Sequence, residues 1–364
     1  MNEKNFETLL NYLDKMKRIQ EHLLRIIEIN NYTEFDELIV FLIEQKINEN
    51  KDILKDFLYL IAKITQNHHM TFDYFFRMEK LLSNFKEPIK NSFTSFEIFD
   101  IFKDNQRLLC YLFDDDIIIP NHEICSVICN EKYSQLGYHY HFFPEFRQFY
   151  SEPVLNDIKT KNPLLPLIQI DVLKRNRREY RGEPFYQIIQ NDSIDEFTKC
   201  VFKNVTSLNS KIEKKFHEIN QFLIPGLHSL IEYAAFYGSV QIFQYLISNG
   251  AELTSDIWKY AIHSQNLKII QILIENHVEL PINECCKEAI KCHHNDILKY
   301  FLEFFYESNE EDDFNLLIES IKSFNFAYCS ELTPNEINKP NQISKLVDFV
   351  KDDYSFLNRF FVYK

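Results

Sequence analysis

Apolar residues recur at the spacing of an α-helix from the start of the chain. Neither proline nor glycine occurs before Pro88, so the pattern predicts a long series of helices. The apolar face of the first helix comprises Phe6, Leu9, Leu13, Met16, Leu23 and Ile27. This spacing also suits a coiled coil, but it covers only about three heptads and has Gln20 in the seam. We therefore favour a helix packed within a larger helical protein.

The C-terminal half contains an internal repeat. Three segments share one pattern of apolar and polar positions: YAAFYGSVQIFQYL from Tyr233, YAIHSQNLKIIQIL from Tyr260 and EAIKCHHNDILKYF from Glu288. A small side chain lets neighbouring helices approach, and the aliphatic columns that follow would fill the layer between units. The columns are Ala234, Ala261 and Ala289; Ile242, Ile269 and Ile297; and Leu246, Leu273 and Phe301. We predict three copies of a helix-turn-helix unit.

Capping residues place the helix ends at matching points of the repeat. Ser229 and Glu232 form an S-x-x-E capping box, which places the start of the first helix at Ser229. Asp256 occupies the same slot of the next unit and is also a good N-cap residue. Gly250 follows the second helix, where a left-handed C-cap residue is expected, whereas its counterpart His277 lacks the conformational freedom of glycine.

The segment from Ser229 to Ala251 resembles an ankyrin repeat. Ser229 stands at the threonine of the family, Ala234-Ala235 at its paired alanines, Gly238 at the turn between helices, and Asn249-Gly250-Ala251 at the end of the repeat. Glu232 stands where the family has histidine, and the units are shorter than the roughly 33 residues of a standard repeat. We attribute the missing residues to the projecting β-hairpin loop. The order of features is similar to a divergent protist branch of ankyrin-repeat proteins with a helical N-terminal region.

Weaker copies extend this pattern. NQRLLCYL from Asn105 follows SVQIFQYL from Ser239, and NDSIDEF from Asn191 follows YGSVQIF from Tyr237. We therefore predict an all-α fold, a helical solenoid of helix-turn-helix, ankyrin-like repeats.

Composition breaks divide the chain into four predicted regions. Five of the 11 prolines lie between Pro144 and Pro184, and the acidic run ESNEEDD begins at Glu307. The regions are a helical N-terminal part with degenerate repeats (1–170), a basic, proline-rich linker with a degenerate repeat (171–225), ankyrin-like repeats (226–306), and an acidic loop with a helical C-terminal cap (307–364).

The resemblance implies that the first helix of each unit lines a concave binding face. The predicted partner-binding residues are Tyr233, Phe236 and Tyr237, then Tyr260, His263 and Ser264, then Glu288 and Lys291 with Cys292 beside them. Tyrosines in such a row would be binding anchors, since they supply contact area with little loss of entropy. The alternative is that Phe236 and Tyr237 pack against the preceding unit.

Two groups of histidine and cysteine residues invite a metal interpretation. Cys285 and Cys292 would lie about 10.5 Å apart along one helix, too far to share a zinc ion, so we predict that they pack in the core. His122, Cys125 and Cys129 share one helical face with the pair His139 and His141 nearby, but the two cysteines also continue an apolar stripe. We predict no metal and no cofactor, with a zinc-dependent or structural-metal protein as the alternative.

Charge and composition narrow the function classes. The net charge of −14 would repel a phosphate backbone, and only 5 glycines leave no G-x-G-x-x-G or P-loop motif. No apolar run approaches the roughly 20 residues that span a bilayer, and the N-terminus has no export signal. One cluster departs from the negative charge of the chain, and we interpret it as a solvated linker. It comprises Lys174, Arg175, Arg177, Arg178 and Arg181.

These observations predict a non-enzymatic scaffold that binds another protein, not a membrane or nucleic acid. The 8 cysteines lack the spacing of a disulfide framework, so we expect an intracellular protein, cytoplasmic rather than nuclear. A nuclear protein using the basic cluster at 174–181 is the remaining alternative.

Overall fold

Helices joined by short connections make up the described part of the chain, as the apolar periodicity predicts. The computed structural model describes residues 3–28, 32–68, 72–179, 184–204, 208–209, 211 and 220–329. Within these ranges there is no β-strand, only an isolated bridge between Lys211 and Ser229. The prediction of an all-α protein is confirmed. No described helix is both long and apolar enough to cross a membrane.

The helices are α1 (Glu3–Glu28), α2 (Tyr32–Glu44), α3 (Lys51–Asn67), α4 (Phe72–Asn84), α5 (Lys86–Ser92), α6 (Ser95–Phe102), α7 (Gln106–Asp114), α8 (His122–Ile128), α9 (Glu131–Gln135), α10 (Tyr138–His141), α11 (Phe143–Phe146), α12 (Glu152–Lys161), α13 (Ile170–Glu179), α14 (Pro184–Gln190), α15 (Ile194–Asn204), α16 (Leu230–Tyr237), α17 (Val240–Ser248), α18 (Ile257–Ser264), α19 (Leu267–Glu275), α20 (Ile282–Lys291), α21 (Asn295–Phe304), α22 (Glu310–Lys322) and α23 (Phe326–Cys329).

The chain divides into two compact units. One, the split unit, contains the described residues of Met1–Ile89 and of Thr254–Lys364; the other, the central unit, is Lys90–Leu253. These units differ from the four regions expected from composition, because the N-terminal helices pack with the C-terminal ones. In the split unit α1 contacts α23 and α3 contacts α20.

The turn between the two helices of each helix-turn-helix repeat has the same backbone geometry. A residue with positive φ stands at each turn: Asp192 (50°), Gly238 (68°), Gln265 (53°), His293 (60°) and Phe324 (54°). At four of these turns the next amide donates to a carbonyl five residues earlier: Ser193 to Ile188 (3.0 Å), and Ser239 to Ala234, His294 to Ala289 and Asn325 to Ser320 (2.9 Å each). The Asn191 copy shares this turn. The turn at Phe324 adds a copy that the sequence comparison missed.

The end of the second helix repeats as well. Gly250 has φ 85°, and its counterparts His277 (53°) and Asp116 (52°) adopt the left-handed region without being glycine. The following amide donates to the last turn in each case: Ala251 to Leu246 (3.0 Å), Val278 to Leu273 (3.1 Å) and Ile117 to Leu112 (2.9 Å). The weak copy from Asn105 therefore has the same helix ending. Holding a non-glycine residue there costs about 1–2 kcal/mol.

Of the two predicted helix N-caps, one makes a capping hydrogen bond and the other does not. Ser229 and Glu232 form the capping box, with the Ser229 amide donating to a Glu232 carboxylate oxygen at 2.7 Å. Asp256 occupies the N-cap position of α18, but its side chain makes no capping hydrogen bond.

Successive helix-turn-helix repeats within the central unit are joined through a side chain at a turn. Helix α14 contacts α16 and α15 contacts α17. The Asp192 carboxylate accepts from the amides of Gln241 (3.0 Å) and Ile242 (2.9 Å), while Ser239 Oγ donates to the Ile189 carbonyl at 2.5 Å. Asp192 thus caps α17 of the next repeat, because the N-cap residue of α17, Ser239, makes no side-chain capping hydrogen bond.

Asp192→Ala should lower the free energy of unfolding of the central unit by about 1–2 kcal/mol, because two helix amides lose their acceptor. Asp192→Asn keeps an acceptor oxygen for one of the two amides and should lose less stability than Asp192→Ala. Urea unfolding monitored by circular dichroism compares the two variants. Equal losses in both would show that the carboxamide oxygen does not replace the cap.

A buried amide network fixes the N-terminal helix of the split unit to its C-terminal helices. Gln20, predicted in the seam of α1, is fully buried. Its Nε2 donates to Asn325 Oδ1 at 3.0 Å, and its Oε1 accepts from the Ala327 amide at 3.1 Å. Asn325 Nδ2 in turn donates to the Ile290 carbonyl (3.0 Å) and to Asn295 Oδ1 (2.9 Å). Helix α1 is therefore a packed helix of this unit.

Two sequence expectations about loops are wrong. The acidic run at Glu307 is only partly a loop, because Glu310 to Asp313 form the first turn of α22 with Asn309 as N-cap. Acidic side chains in a first helical turn are favoured by the helix dipole. The basic stretch 171–179 is not a linker, since it forms part of α13, whereas α14 and α15 are the degenerate repeat expected in the same region. The expected C-terminal cap beyond residue 329 lies outside the described residues.

Candidate functional site

Four of the eight predicted binding residues are buried. Tyr233 (4% exposed), Phe236 (1%), His263 (1%) and Glu288 (7%) face other side chains. Phe236 stacks on Phe222 with ring centroids 5.7 Å apart, and Tyr233 Oη accepts from Gln190 Nε2 at 3.2 Å. Tyr233 and Phe236 act as packing residues, as the alternative interpretation held for Phe236. The remaining four, Tyr237, Tyr260, Ser264 and Lys291, are half-buried.

Three of the residues chosen from the first helices converge on one another in the split unit. His263 Nε2 lies 2.9 Å from Glu288 Oε1, and Cys292 Sγ lies 3.5 Å from both ring nitrogens of His263. We call His263, Glu288 and Cys292 the His–Glu–Cys cluster. Their ligand atoms all lie within 4.8 Å of one another, and all three side chains are buried. Among the described residues, no other group of three or more has this metal-binding arrangement.

Repeat geometry explains the convergence. His263 lies in the last turn of α18, while Glu288 and Cys292 are one helical turn apart at the end of α20, with Cys292 as its C-cap. The two helices are the first helices of consecutive units and contact each other. Side chains from the C-terminal halves of these two helices therefore meet in the groove between them.

Further polar groups surround the cluster. Lys291 Nζ donates to Glu288 Oε2 at 3.3 Å. His294 follows two residues after Cys292 and packs edge-on against His68, with ring centroids 4.6 Å apart. His293 and His294 are both buried, and none of their ring nitrogens has a hydrogen-bond partner of ordinary geometry among the described residues, although the His263 carbonyl lies near His294.

Burial and charge set the protonation of the cluster. Burial alone would raise the pKa of the Glu288 carboxyl, but the hydrogen bond from His263 and the Lys291 charge lower this pKa to about 2. Burial raises the pKa of the Cys292 thiol well above its usual value. Burial, with His68 and His263 nearby, lowers the pKa of His294 well below its usual value. The cluster therefore pairs a carboxylate with a protonated thiol, and a protonated thiol is a poor nucleophile.

The metal ligands considered from sequence in the central unit do not assemble. Cys125 and Cys129 hydrogen-bond to each other, and His122 packs edge-on against Phe149 with ring centroids 4.9 Å apart. The pair His139 and His141 also separates, and each ring has other neighbours. His139 lies near Ser134 (3.4 Å) and Asp157 (3.6 Å), and His141 Nε2 lies 3.1 Å from Cys110 Sγ.

The basic cluster is partly an internal ion-pair network. Arg177 is buried and donates to both Glu145 oxygens at 3.0 Å and to the His141 carbonyl at 2.8 Å. Lys174 pairs with Asp114 at 2.9 Å. Arg175 is exposed, whereas the Arg178 side chain and Arg181 lie outside the described residues. At least two of the five cations are therefore engaged within the central unit.

Sequence reasoning missed the His–Glu–Cys cluster because it tested metal ligands only along single helices. The repeat register is the signal that would have found it. His263 is equivalent to Lys291 of the next repeat, and Glu288 and Cys292 stand three positions before and one position after Lys291. Cys285 and Cys286 are buried, as predicted for core residues.

Comparison with protein-family models, with curated proteins and with solved structures gives no significant match for this chain.

Proposed function

We propose that the protein is a non-enzymatic scaffold that binds another protein through helix-turn-helix units of ankyrin type. The observation that carries the proposal is the recurrence of one left-handed turn, at Asp192, Gly238, Gln265, His293 and Phe324, between helices whose surface side chains differ from unit to unit. A constant backbone with variable surface positions suits partner recognition, because substitutions change the contact surface and leave the stack intact.

The contact surface that we assign lies on the split unit around the turn at Gln265. Tyr260 and Ser264 on α18 are half-buried, and so is Lys291 on α20. Leu267 follows the same turn and is 64% exposed. Tyr260 is of a residue type enriched at protein–protein hot spots, and the exposed Leu267 and the Lys291 cation add an apolar contact and a charge beside it. We call Tyr260, Ser264, Leu267 and Lys291 the turn-face residues.

The double variant Tyr260→Ala/Leu267→Ala should weaken capture of a native partner by about 10-fold or more, because two hot-spot contacts are removed. Affinity purification from native lysate, with quantification of each co-purified protein, measures the loss. The matched control is Gln271→Ala/Glu275→Ala, which truncates an exposed pair on α19. Identical partner sets for wild type and both variants would contradict this surface assignment.

A further inference from the structure

The His–Glu–Cys cluster has the donor types of a zinc site. Zinc binds imidazole nitrogen, carboxylate oxygen and thiolate sulfur, and sites with three protein ligands are common. His263 supplies nitrogen from α18, while Glu288 and Cys292 supply oxygen and sulfur from α20. The donor set therefore spans two consecutive units.

The spacing of the donors suits one tetrahedral ion. Bond lengths of about 2.0–2.3 Å to zinc place neighbouring ligand atoms roughly 3.2–3.7 Å apart. The 3.5 Å between Cys292 Sγ and His263 Nε2 falls within that span, but the sulfur is equally far from Nδ1 and so lies beside the ring. A turn of the thiol or of the imidazole would bring the sulfur and one nitrogen onto the same ion. His263 Nε2 and Glu288 Oε1 are 2.9 Å apart and share a hydrogen bond, so these two atoms would separate slightly when an ion replaces the proton between them.

Charge and surroundings also suit a divalent cation. A carboxylate and a thiolate together neutralise Zn²⁺, and a bound cation deprotonates a coordinating thiol even where burial alone keeps it protonated. Lys291 holds the second oxygen of Glu288 at 3.3 Å, the kind of outer contact that orients a ligating carboxylate. The site also lies beside the buried ring of His294, whose nitrogens lack hydrogen bonds of ordinary geometry among the described residues.

We propose that His263, Glu288 and Cys292 bind one Zn²⁺ ion that joins helices α18 and α20. The ion is structural: it cross-links the first helices of two consecutive units and holds the adjacent turn-face residues in position. Zinc binding does not require the proposed partner, since the chain can hold the ion whether or not its surface recognises a protein.

Metal binding is tested on the full-length chain purified without chelators. Elemental analysis should find about one Zn²⁺ per chain, as for a single structural site. After the metal is stripped with a chelator, the melting temperature should fall, and Zn²⁺ should restore it. Titration with Co²⁺ should produce thiolate-to-metal charge-transfer absorption, which a site without cysteine cannot give.

Two variants assign the binding to this cluster. Cys292→Ser should abolish the charge-transfer band and weaken Zn²⁺ binding by more than about 100-fold, while Cys286→Ser, a buried cysteine of the same helix, should keep both. If Cys292→Ser does not fold, Glu288→Gln removes a charged ligand, keeps the side-chain shape, and should also weaken binding.

Two results would overturn the proposal. One is a wild-type chain that neither contains zinc nor takes up Zn²⁺ or Co²⁺ stoichiometrically, which would make the cluster a hydrogen-bond network only. The other is full binding by a folded Cys292→Ser or Glu288→Gln variant, which would place the ion elsewhere.

Discussion

Glu145→Ala should destabilise the central unit by about 3–5 kcal/mol, because it leaves the buried Arg177 guanidinium without its counter-charge. The two side chains form a bidentate pair with both N–O distances at 3.0 Å, and Arg177 also lies over the Phe142 ring at 5.7 Å. Desolvating an unpaired guanidinium costs far more than losing an exposed ion pair. Hydrogen exchange under native conditions measures the effect on this unit separately.

Controls separate the buried charge from a general effect of substitution. Glu131→Ala removes an exposed carboxylate of the same unit whose side chain bonds Gln135, and should change stability by no more than about 0.5 kcal/mol. The double replacement Glu145→Leu/Arg177→Met removes both charges and should recover much of the loss. A loss below about 1 kcal/mol for Glu145→Ala would mean that Arg177 finds another partner or water.

Asn325→Ala should destabilise the split unit by about 3 kcal/mol. The substitution removes the acceptor of Gln20 Nε2 and the donor to Asn295 Oδ1, and it takes one of the hydrogen bonds of the Ile290 carbonyl, which still accepts from the His293 amide. Each buried group left unpaired costs about 1–3 kcal/mol. Because Gln20 lies on α1 and Asn325 precedes α23, the loss should also loosen α1. Hydrogen exchange should show faster exchange in α1 as well as in α23.

The matched control for this experiment is Asn276→Ala. Asn276 caps α19 in the same unit, but its side chain is exposed and donates only to the Ile272 carbonyl at 2.8 Å. It should cost about 0.5 kcal/mol or less, as surface substitutions do. If Asn325→Ala left exchange in α1 unchanged, the amide network would not hold that helix.

The sequence predicted local structure correctly where a capping residue or a glycine accompanied the pattern of apolar positions. The Ser229 capping box, the Gly250 ending and the repeat register from Tyr233 to Phe301 all appear in the structure. Positions where the geometry persists without its usual residue were harder. Gln265, His293 and Phe324 adopt positive φ although only glycine does so freely, so composition gives no warning of these turns.

Tertiary burial limited the prediction of the site. The repeat register puts His263, Glu288 and Cys292 on the first helices of consecutive repeats, but the sequence does not show that His263 and Glu288 turn into the groove between those helices. It also does not show that α1 and α3 pack against C-terminal helices more than 200 positions away. The apolar pattern of an amphipathic helix does not specify which other helix covers its apolar face. The expected linker failed for a related reason, since the charge of Arg177 is neutralised by a residue on another helix.

We propose that the turn-face residues contact a partner protein. Site-specific photo-cross-linking tests it most directly, with a photoreactive residue placed at Ser264 and, as control, at Gln271 on the exposed side of α19. We predict that position 264 forms a discrete cross-linked species with one protein in native lysate and that position 271 does not. A cross-link from 271 but not from 264, or none from either position in a folded chain, would contradict the assignment of this surface to partner binding.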